Sequence, residues 1–471
     1  MAANSGGALF RIGRFLLAVL VLCTPLFAQQ LSPTQKLAHD IFEELVNVKS
    51  TESAVGTTPA VELMVKRFRA AGYAEPDLFV GGADPRKQNV VIRLRGRGEG
   101  KAILMIGHLD VVEANKEDWS ADLDPFKFTE RDGYFYGRGT QDMKDAVAIL
   151  SANMIRWKQE GWKPSRDIIL ALTADEETGN ANGVDWLLKN HRDLIDAEYC
   201  LNPDGGDFDE RNGKPFLIMI AAAEKKYSAI KLETHNPGGH GSRPRPDNAI
   251  YQMAHALERI EAFHFPVELS PVTREQLKRQ AQFESDQRAA DMKAVADSED
   301  KTAAERLSQD PQLNALLHTT CVATKIDGGH AENALPQHVK AVLNCRILPD
   351  SDPVQVLTDI RNAVNDNTVV IDWETLDPVR YPSSPLNATL ISTVESVAAK
   401  MYPSVKVMPS LELGASDGKY LRGAGIPTYG IPGVFLEEQD VRAHGKDERI
   451  GIKEFYDGVD FYNNFLKALA K

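Results

Sequence analysis

Residues 103–146 limit the possible folds more than any other stretch, because an apolar segment there ends abruptly in polar residues. Residues 103–106 are too few and too apolar for a surface helix, and His108 and Asp110 follow almost at once. This pattern predicts a buried β-strand that carries polar side chains at its carboxyl end. Residues two apart on an extended chain share a face, so Asp110 is expected to accept the ring N–H of His108 and leave the other nitrogen for a metal.

Strand-like and helical segments alternate through the first half of the chain. Strands are predicted at residues 89–94, 103–106 and 167–174, and helices at residues 143–161 and 184–194. This alternation predicts an α/β fold with an open sheet of parallel strands. Sheets of this kind bind ligands beyond the carboxyl ends of their strands.

Polar residues stand at four successive strand exits or helix starts: His108, Asp142, Glu176 with Glu177, and Asp204. Each has an ordinary structural explanation when it is considered alone. Asp142 could cap its helix, the two glutamates could form a solvated turn, and Asp204 could form an Asx turn. Their joint placement favours one shared site.

Carboxylate and imidazole groups without cysteine suit a hydrolytic metal site that holds zinc, with manganese or cobalt as the alternative. Two cations about 3.5–4 Å apart need a shared ligand, and a carboxylate can give one oxygen to each. Asp142 is the natural bridge. Water on such a metal has a pKa near 7, and a neighbouring carboxylate can take its proton. The adjacent acids Glu176 and Glu177 suggest that one binds metal and the other moves the proton.

The motifs GHLDVV, YGRGTQDMKD, ADEETG and NPDGG, followed by a late His444, carry a resemblance. They are similar to the motifs of the di-zinc metallopeptidase family that includes glutamate carboxypeptidase, succinyl-diaminopimelate desuccinylase, carnosinase-type dipeptidases and aminoacylases. The resemblance covers nearly the whole chain after its amino-terminal segment. It implies two Zn²⁺ ions, a cis peptide bond after the bridging Asp142, a general base at Glu176 and a partner for His108 at Asp110. The implied metal ligands are His108, Asp142, Glu177, Asp204 and His444.

The character of the sequence changes near residue 223. Apolar and polar residues alternate at residues 227–234, which predicts a half-exposed strand, and a glycine-rich loop follows it. An α+β lid is predicted at residues 223–348, inserted between catalytic parts at 29–222 and 349–471. The resemblance implies that such a lid often dimerises, so a homodimer through the lid is expected. A charged helical insertion at about 269–318 is interpreted as a solvated elaboration in preference to a substrate gate, and it puts the dimer geometry in doubt.

Several residues outside the metal cluster are candidates for substrate contacts. The resemblance implies that His240 reaches the scissile carbonyl oxygen and that Asn333 and Arg346 lie near the substrate. Arg346 could clamp a substrate carboxylate, although an arginine at a strand end is more often a surface charge. The loop with Gly414 and Ser416 could receive a carboxylate on its backbone N–H groups, or it could simply begin a helix.

Three further lid histidines, His235, His330 and His338, are interpreted as structural.

The first 28 residues have the pattern of a secretory signal. Arg11 and Arg14 precede the apolar run at residues 15–22, and Ala28 gives a small residue for cleavage. We therefore expect an exported, periplasmic or secreted protein without a stable membrane span after processing, with an uncleaved anchor as the alternative. Cleavage would take the formal net charge from −13 to about −15, which argues against nucleic-acid binding.

Three cysteines would remain after cleavage: Cys200, Cys321 and Cys345. A disulfide between Cys321 and Cys345 is conceivable, since both lie in strand-like segments and export permits oxidation.

The predicted function is that of an exported metallopeptidase. It would hydrolyse the amide bond of a small peptide with a free carboxylate, as a dipeptidase or carboxypeptidase. In this scheme metal-bound hydroxide attacks, Glu176 transfers the proton, and His240 with the metals holds the oxyanion. An N-acyl-amino-acid hydrolase is the alternative, because it would use the same catalytic residues. A non-catalytic metal-retaining amide-binding protein is less favoured, because binding needs ligands but no base such as Glu176.

Overall fold

The computed structural model describes residues 1–2, 30–377 and 379–471. Nearly all of the predicted signal segment lies outside the described residues, so export stays a prediction. None of the helices within the described ranges is both long and apolar enough to cross a membrane.

Helices and strands alternate along most of the chain. The helices are α1 Pro33–Val46, α2 Thr58–Ala70, α3 Lys144–Gln159, α4 Gly183–Asn190, α5 Arg192–Ile195, α6 Ala249–Glu261, α7 Pro271–Gln280, α8 Asp286–Ser298, α9 Lys301–Leu307, α10 Pro311–Leu317, α11 Pro353–Val364, α12 Ala388–Met401, α13 Gly418–Gly423 and α14 Ile452–Leu469. The strands are β1 Leu78–Asp84, β2 Lys87–Leu94, β3 Ile103–His108, β4 Thr129–Arg131, β5 Tyr134–Tyr136, β6 Ile168–Thr173, β7 Tyr199–Asn202, β8 Asp207–Glu210, β9 Pro215–Glu224, β10 Lys226–His235, β11 Gly239–His240, β12 Thr320–Gly328, β13 Ala334–Leu335, β14 His338–Ile347, β15 Val369–Leu376, β16 Lys406–Glu412, β17 Thr428–Gly430, β18 Leu436–Glu437 and β19 Arg449–Gly451.

A ten-stranded sheet forms the larger part of the structure, in the order β1-β2-β6-β3-β7-β17-β9-β8-β18, with β16 paired to β9. Its central strands β6, β3, β7 and β17 are parallel. This confirms the predicted α/β class. The predicted strand at 89–94 differs in direction, because β2 runs antiparallel to β6.

Both faces of the large sheet are covered, which explains why its central strands are apolar throughout. Along β3, Ile103 and Met105 belong to the core shared with α1, α3 and α14. Leu104 and Ile106 belong to the opposite core, shared with α4 and α13. Successive side chains of the strand therefore face different layers, and only its carboxyl end is left for polar residues.

The lid is a four-stranded antiparallel sheet in the order β12-β14-β10-β15. Helices α6 and α11 contribute to a separate apolar core on one of its faces. The predicted lid boundary at residue 348 is wrong, because α11 and β15 follow it in sequence and belong to this unit. Strand β15 pairs with the edge of β10 that lies opposite β14, and α11 packs on β15.

Within the lid, Cys321 and Cys345 stand directly opposite each other on β12 and β14 and form a disulfide. Strand β12 forms one edge of the sheet, and most of its residues are exposed. The homodimer through the lid stays a prediction.

The helical insertion at 269–318 forms α7 to α10, and its packing differs from the prediction. These helices share the core of the large sheet through residues such as Val272, Leu277 and Val295. Helix α7 lies along β16, where the Gln276 side chain accepts the Leu411 N–H at 3.0 Å and Arg279 donates to the Val407 carbonyl at 3.0 Å. The insertion therefore covers an open edge of the large sheet, where unpaired backbone groups would otherwise invite association.

Replacing Gln276 with leucine is expected to lower the free energy of unfolding by about 1–3 kcal/mol, because the buried Leu411 N–H loses its acceptor. Urea denaturation measures the effect. Gln280→Leu is the matched control, since Gln280 lies one turn further along α7 and, among the described residues, makes no bond to β16. Equal unfolding midpoints for the two variants would contradict this account of the sheet edge.

Candidate metal centre

The carboxyl ends of three parallel strands and two further loops bring the predicted ligands together. His108 ends β3, Glu176 and Glu177 follow β6, and Asp204 follows β7. Asp142 precedes α3, and the peptide bond from Asp142 to Met143 is cis, as the resemblance implies. His444 joins them from the loop between β18 and β19.

Asp142 lies between two imidazoles and offers one oxygen to each. Its Oδ1 is 2.9 Å from Nε2 of His108, and its Oδ2 is 2.9 Å from Nε2 of His444. A further carboxylate stands beside each imidazole: Asp204 lies 3.9 Å from His108, and Glu177 lies 3.1 Å from His444. The result is two sets of nitrogen and oxygen donors that share one carboxylate.

Glu177 also lies near the first set, because one ligand atom each of His108, Asp142 and Glu177 lie within 4.8 Å of one another. The same limit holds for His108, Glu176 and Asp204. The donor atoms are therefore close enough to converge on cations.

Carboxylates outnumber imidazoles in this cluster, because Asp142, Glu176, Glu177 and Asp204 surround His108 and His444. Hydrogen bonds to Asp142 and Glu177 raise the pKa of His444 to about 10. Burial raises the pKa of Asp204, and the neighbouring Asp142 and Glu176 carboxylates raise it further. Burial opposes ionisation of Asp142, yet hydrogen bonds from the two imidazoles lower its pKa.

A pair of divalent cations would relieve this excess of carboxylates. The donors are imidazole nitrogens and carboxylate oxygens, which suits zinc and leaves manganese and cobalt as alternatives. The residues present therefore fit a dinuclear metal centre.

Glu176 differs from its neighbour Glu177 in its surroundings. Burial raises the pKa of Glu176 well above its usual range; the charge of His108 opposes this rise, and the Asp417 carboxylate adds to it. Glu177 instead contacts His444. A carboxyl group with a raised pKa beside donors of a metal site suits proton transfer near neutral pH.

The turn that presents these two glutamates is built on Asp175, which has a left-handed backbone with φ of 64°. Its carboxylate accepts a hydrogen bond from Lys87 at 2.7 Å, and it also accepts from Thr178 and the Ala181 N–H. These bonds hold a backbone conformation that a non-glycine residue seldom adopts.

Asp110 supports the site in a different way from the predicted one. The ring nitrogen Nδ1 of His108 lies 3.0 Å from the backbone carbonyl of Asp110 and 3.8 Å from its carboxylate. The carboxylate instead accepts the N–H groups of Glu176 at 3.3 Å and Glu177 at 3.1 Å. The backbone of Asp110 thus orients the imidazole, and its side chain orients the two glutamates.

Sequence reasoning missed Glu448, which holds the loop before Asp142. Its carboxylate accepts the N–H groups of Gly139 at 3.1 Å and Gln141 at 2.7 Å, with Asp142 at 3.3 Å, and it pairs with Arg138 at 2.5 Å. Glu448 lies only four residues after His444, in the motif HGKDE, so its spacing was a usable signal.

Asp417 is a second residue that sequence reasoning missed. It is buried, its carboxylate accepts from the Asn182 side chain, and it lies 3.5 Å from the Thr173 hydroxyl. Burial raises the pKa of Asp417 to about 6. It lies in the same loop as the substrate candidates Gly414 and Ser416, but an Asp before a short helix resembles an ordinary helix cap.

His240 and Asn333 lie together in the lid. His240 lies on β11, which pairs with β13, and Asn333 directly precedes β13; the Gly241 N–H donates to the Asn333 carbonyl at 2.7 Å. The exposed His240 ring contacts Ser242 through Nδ1. In the described part of the chain, no hydrogen bond joins His240 to the cluster around Asp142.

The other substrate candidates are engaged elsewhere. The guanidinium of Arg346 lies 5.2 Å from the Tyr227 ring centroid on the lid sheet. The Ser416 N–H donates to Glu224 at 3.2 Å, and the Gly414 N–H lies 3.4 Å from Glu412. The expectation that these two N–H groups receive a substrate carboxylate therefore differs from the structure, because the protein's own carboxylates accept them.

Comparison with known proteins agrees with this geometry. The family model described as peptidase family M20/M25/M40 matches residues 104–468. The chain belongs to this family. Membership confirms the resemblance seen in the motifs, and with it a metal-dependent peptidase or amidohydrolase.

Relatives of the chain include peptidases and amidohydrolases. A Dictyostelium discoideum protein named "Probable carboxypeptidase S-like 2" is 28% identical over 405 residues, which are 81% of this chain and 75% of that protein. The human N-fatty-acyl-amino acid synthase/hydrolase is 26% identical over 365 residues, 76% of this chain and 72% of that protein. The crystal structure of an M20 family metallo-carboxypeptidase from Sulfolobus solfataricus matches with a TM-score of 0.67 at 19% identity, covering 92% of this chain and 99% of that one.

Proposed function

We propose that this M20 protein is an exported di-zinc hydrolase that cleaves the amide bond of a small peptide with a free carboxylate, as a dipeptidase or carboxypeptidase. The observation that carries the proposal is Asp142, whose two oxygens face His108 and His444 at the same 2.9 Å distance. We assign His108, Asp142 and Asp204 to one ion, and Asp142, Glu177 and His444 to the other.

Two zinc ions bound here would polarise the substrate carbonyl and bring the pKa of a water towards about 7. Glu176 then accepts the proton of the attacking water and returns it to the leaving nitrogen, which its raised pKa favours. Asp110 keeps Glu176 and Glu177 in place through their N–H groups. Glu448 does the same for the loop that presents Asp142.

The lid is proposed to supply the remaining contacts. His240 would stabilise the charge that develops on the carbonyl oxygen, and this requires the lid loop to approach the cluster. Arg346 remains the candidate for the substrate carboxylate, with Asn333 beside His240 as a further contact.

A second candidate function is hydrolysis of N-acyl amino acids. It is favoured by the similarity to the human N-fatty-acyl-amino acid synthase/hydrolase over 76% of this chain. The two functions share the same metal ligands and the same base, so they differ only in what the substrate pocket accepts.

The test is hydrolysis of a mixed panel of dipeptides and N-acyl amino acids by the zinc-loaded protein. We expect turnover of one substrate class, a loss of at least about 100-fold after chelation, and recovery when Zn²⁺ is restored, since the metals supply most of the electrostatic stabilisation. Turnover of dipeptides alone supports the peptidase, and turnover of N-acyl amino acids alone supports the second candidate. An inert protein with two bound zinc ions would refute both.

A further inference from the structure

A second group of metal-binding side chains lies on the lid, away from the centre described above. Glu233 and His235 are two residues apart on β10, and His338 begins β14. One ligand atom from each of the three lies within 4.8 Å of the others. We propose that these residues bind one zinc ion on the open face of the lid sheet, and we call the group the lid triad.

Strand pairing brings the lid triad together. His235 and His338 are direct partners across β10 and β14, and their rings are 4.7 Å apart between centroids with an angle of 21°. Glu233 shares the face of His235 because residues two apart on a strand point the same way. Its Oε1 lies 3.6 Å from Nε2 of His338.

The 3.6 Å between Glu233 and His338 is close to the separation that zinc requires, and the ligand atoms of all three residues lie within 4.8 Å of one another. Two ligands about 2.1 Å from a tetrahedral ion are about 3.4 Å apart, so small side-chain rotations bring the triad to bonding distance. When two imidazoles and one carboxylate bind a zinc ion, its fourth coordination position is left for water or for another ligand. Both histidines are exposed, so an ion can reach them from solvent.

The neighbouring lysines leave Glu233 available. Lys340 stands directly opposite Glu233 across the strands, but its ammonium group donates to Glu374 at 2.8 Å. Lys231 lies 3.8 Å from Glu233, which is too long for a hydrogen bond. The Glu233 carboxylate therefore has no tight cationic partner among the described residues.

The position of the lid triad indicates what the ion would do. His235 ends the strand before the loop at 236–241, and His338 begins the strand after the loop at 329–337. These loops carry His240 and Asn333 and pair with each other through β11 and β13. An ion bridging His235 and His338 would join both loops at their base and restrict their motion.

The test compares the full-length wild type with the double variant His235→Gln/His338→Gln by titration of metal-depleted protein with ZnCl₂. We expect the wild type to bind one more zinc ion per chain than the double variant. His255→Gln is the matched control, because it removes another exposed lid histidine outside the triad and should keep the wild-type number. Thermal unfolding of each variant confirms that the lid is folded.

Hydrogen exchange tests the effect on the loops. With zinc present, residues 236–241 and 329–337 are expected to exchange at least about threefold more slowly in the wild type than in the double variant. Equal zinc stoichiometry would overturn the site, and equal exchange rates would overturn its role in joining the loops. Neither result depends on turnover, so the outcome is independent of the proposed hydrolase activity.

Discussion

Replacing Glu176 with glutamine is expected to lower kcat/KM for amide hydrolysis by about 10²- to 10⁴-fold, the range typical of losing a general base. The amide of glutamine cannot accept the proton of the attacking water. Steady-state kinetics on the best substrate of the panel measures the loss. Metal analysis of the same variant is expected to show two ions still bound, because the proposed ligand sets do not include Glu176.

The neighbouring residue gives the matched control. Glu177 follows Glu176 directly, but its carboxylate contacts His444 at 3.1 Å. Glu177→Gln is therefore expected to lose activity together with bound metal, and added zinc should restore part of the activity. Wild-type turnover of Glu176→Gln would show that Glu176 is not the base. Loss of its metals would show that Glu176 is a metal ligand, which contradicts the proposed division between the two glutamates.

Replacing Glu448 with glutamine is expected to lower the free energy of unfolding by about 3–5 kcal/mol, because it leaves a buried charge without its partner. Arg138 is 3% exposed and Glu448 is fully buried, and the two form a salt bridge. Glutamine must also place its N–H₂ either against the N–H groups of Gly139 and Gln141 or against the Arg138 guanidinium, because Oε1 accepts the first two and Oε2 pairs with the arginine. Urea denaturation measures the change, and zinc titration is expected to show weaker binding because Asp142 loses its support.

Two further variants test whether the loss of stability depends on the burial of the ion pair or only on its charge. Glu99→Gln removes one partner of an exposed pair with Arg97 and is expected to change the unfolding midpoint little. The double variant Arg138→Met/Glu448→Gln removes both buried charges and keeps a carbonyl oxygen for the N–H groups of Gly139 and Gln141, so it should cost less than Glu448→Gln alone. A Glu448→Gln midpoint equal to that of Glu99→Gln would show that the buried pair contributes no more than a surface one.

The ligands of the metal centre could be predicted because each stands where a local pattern changes. His108 follows an apolar strand, and Glu176 and Asp204 follow two others, so a parallel sheet had to bring them to one edge. Asp142 was expected to bridge two ions, and the family resemblance implied His444 as the second imidazole; the structure places one Asp142 oxygen against each ring.

The roles of supporting residues were harder to predict because they depend on which backbone groups come near. The carboxylate of Asp110 was expected at the His108 ring, but two N–H groups of another loop lie closer to it. Gly414 and Ser416 were expected to have free N–H groups, but Glu224 and Glu412, from the ends of β9 and β16, accept them. Glu412 is only two residues from Gly414, but Asp110 and Glu224 are distant in sequence from the N–H groups that they accept, so they leave no local pattern.

Packing also decided the limits of the lid. The segment at 353–376 has no composition that separates it from the catalytic part, yet β15 completes the lid sheet because β10 had a free edge. The charged helices at 269–318 follow lid strands in sequence, yet they pack on the large sheet because β16 had a free edge of its own.

The sequence alone determined the α/β class, the presence of a lid within the chain and the set of metal ligands. It could do so because the spacing of apolar residues and the polar residues at the strand ends are local properties of the chain. Only the tertiary structure decided what surrounds the ligands: Glu448 behind Asp142, Asp110 beneath the two glutamates, and His235 opposite His338. These contacts join residues that are far apart along the chain or lie on different strands. Their energies depend on burial and on which hydrogen-bonding groups each loop leaves unpaired, and both are properties of the folded chain.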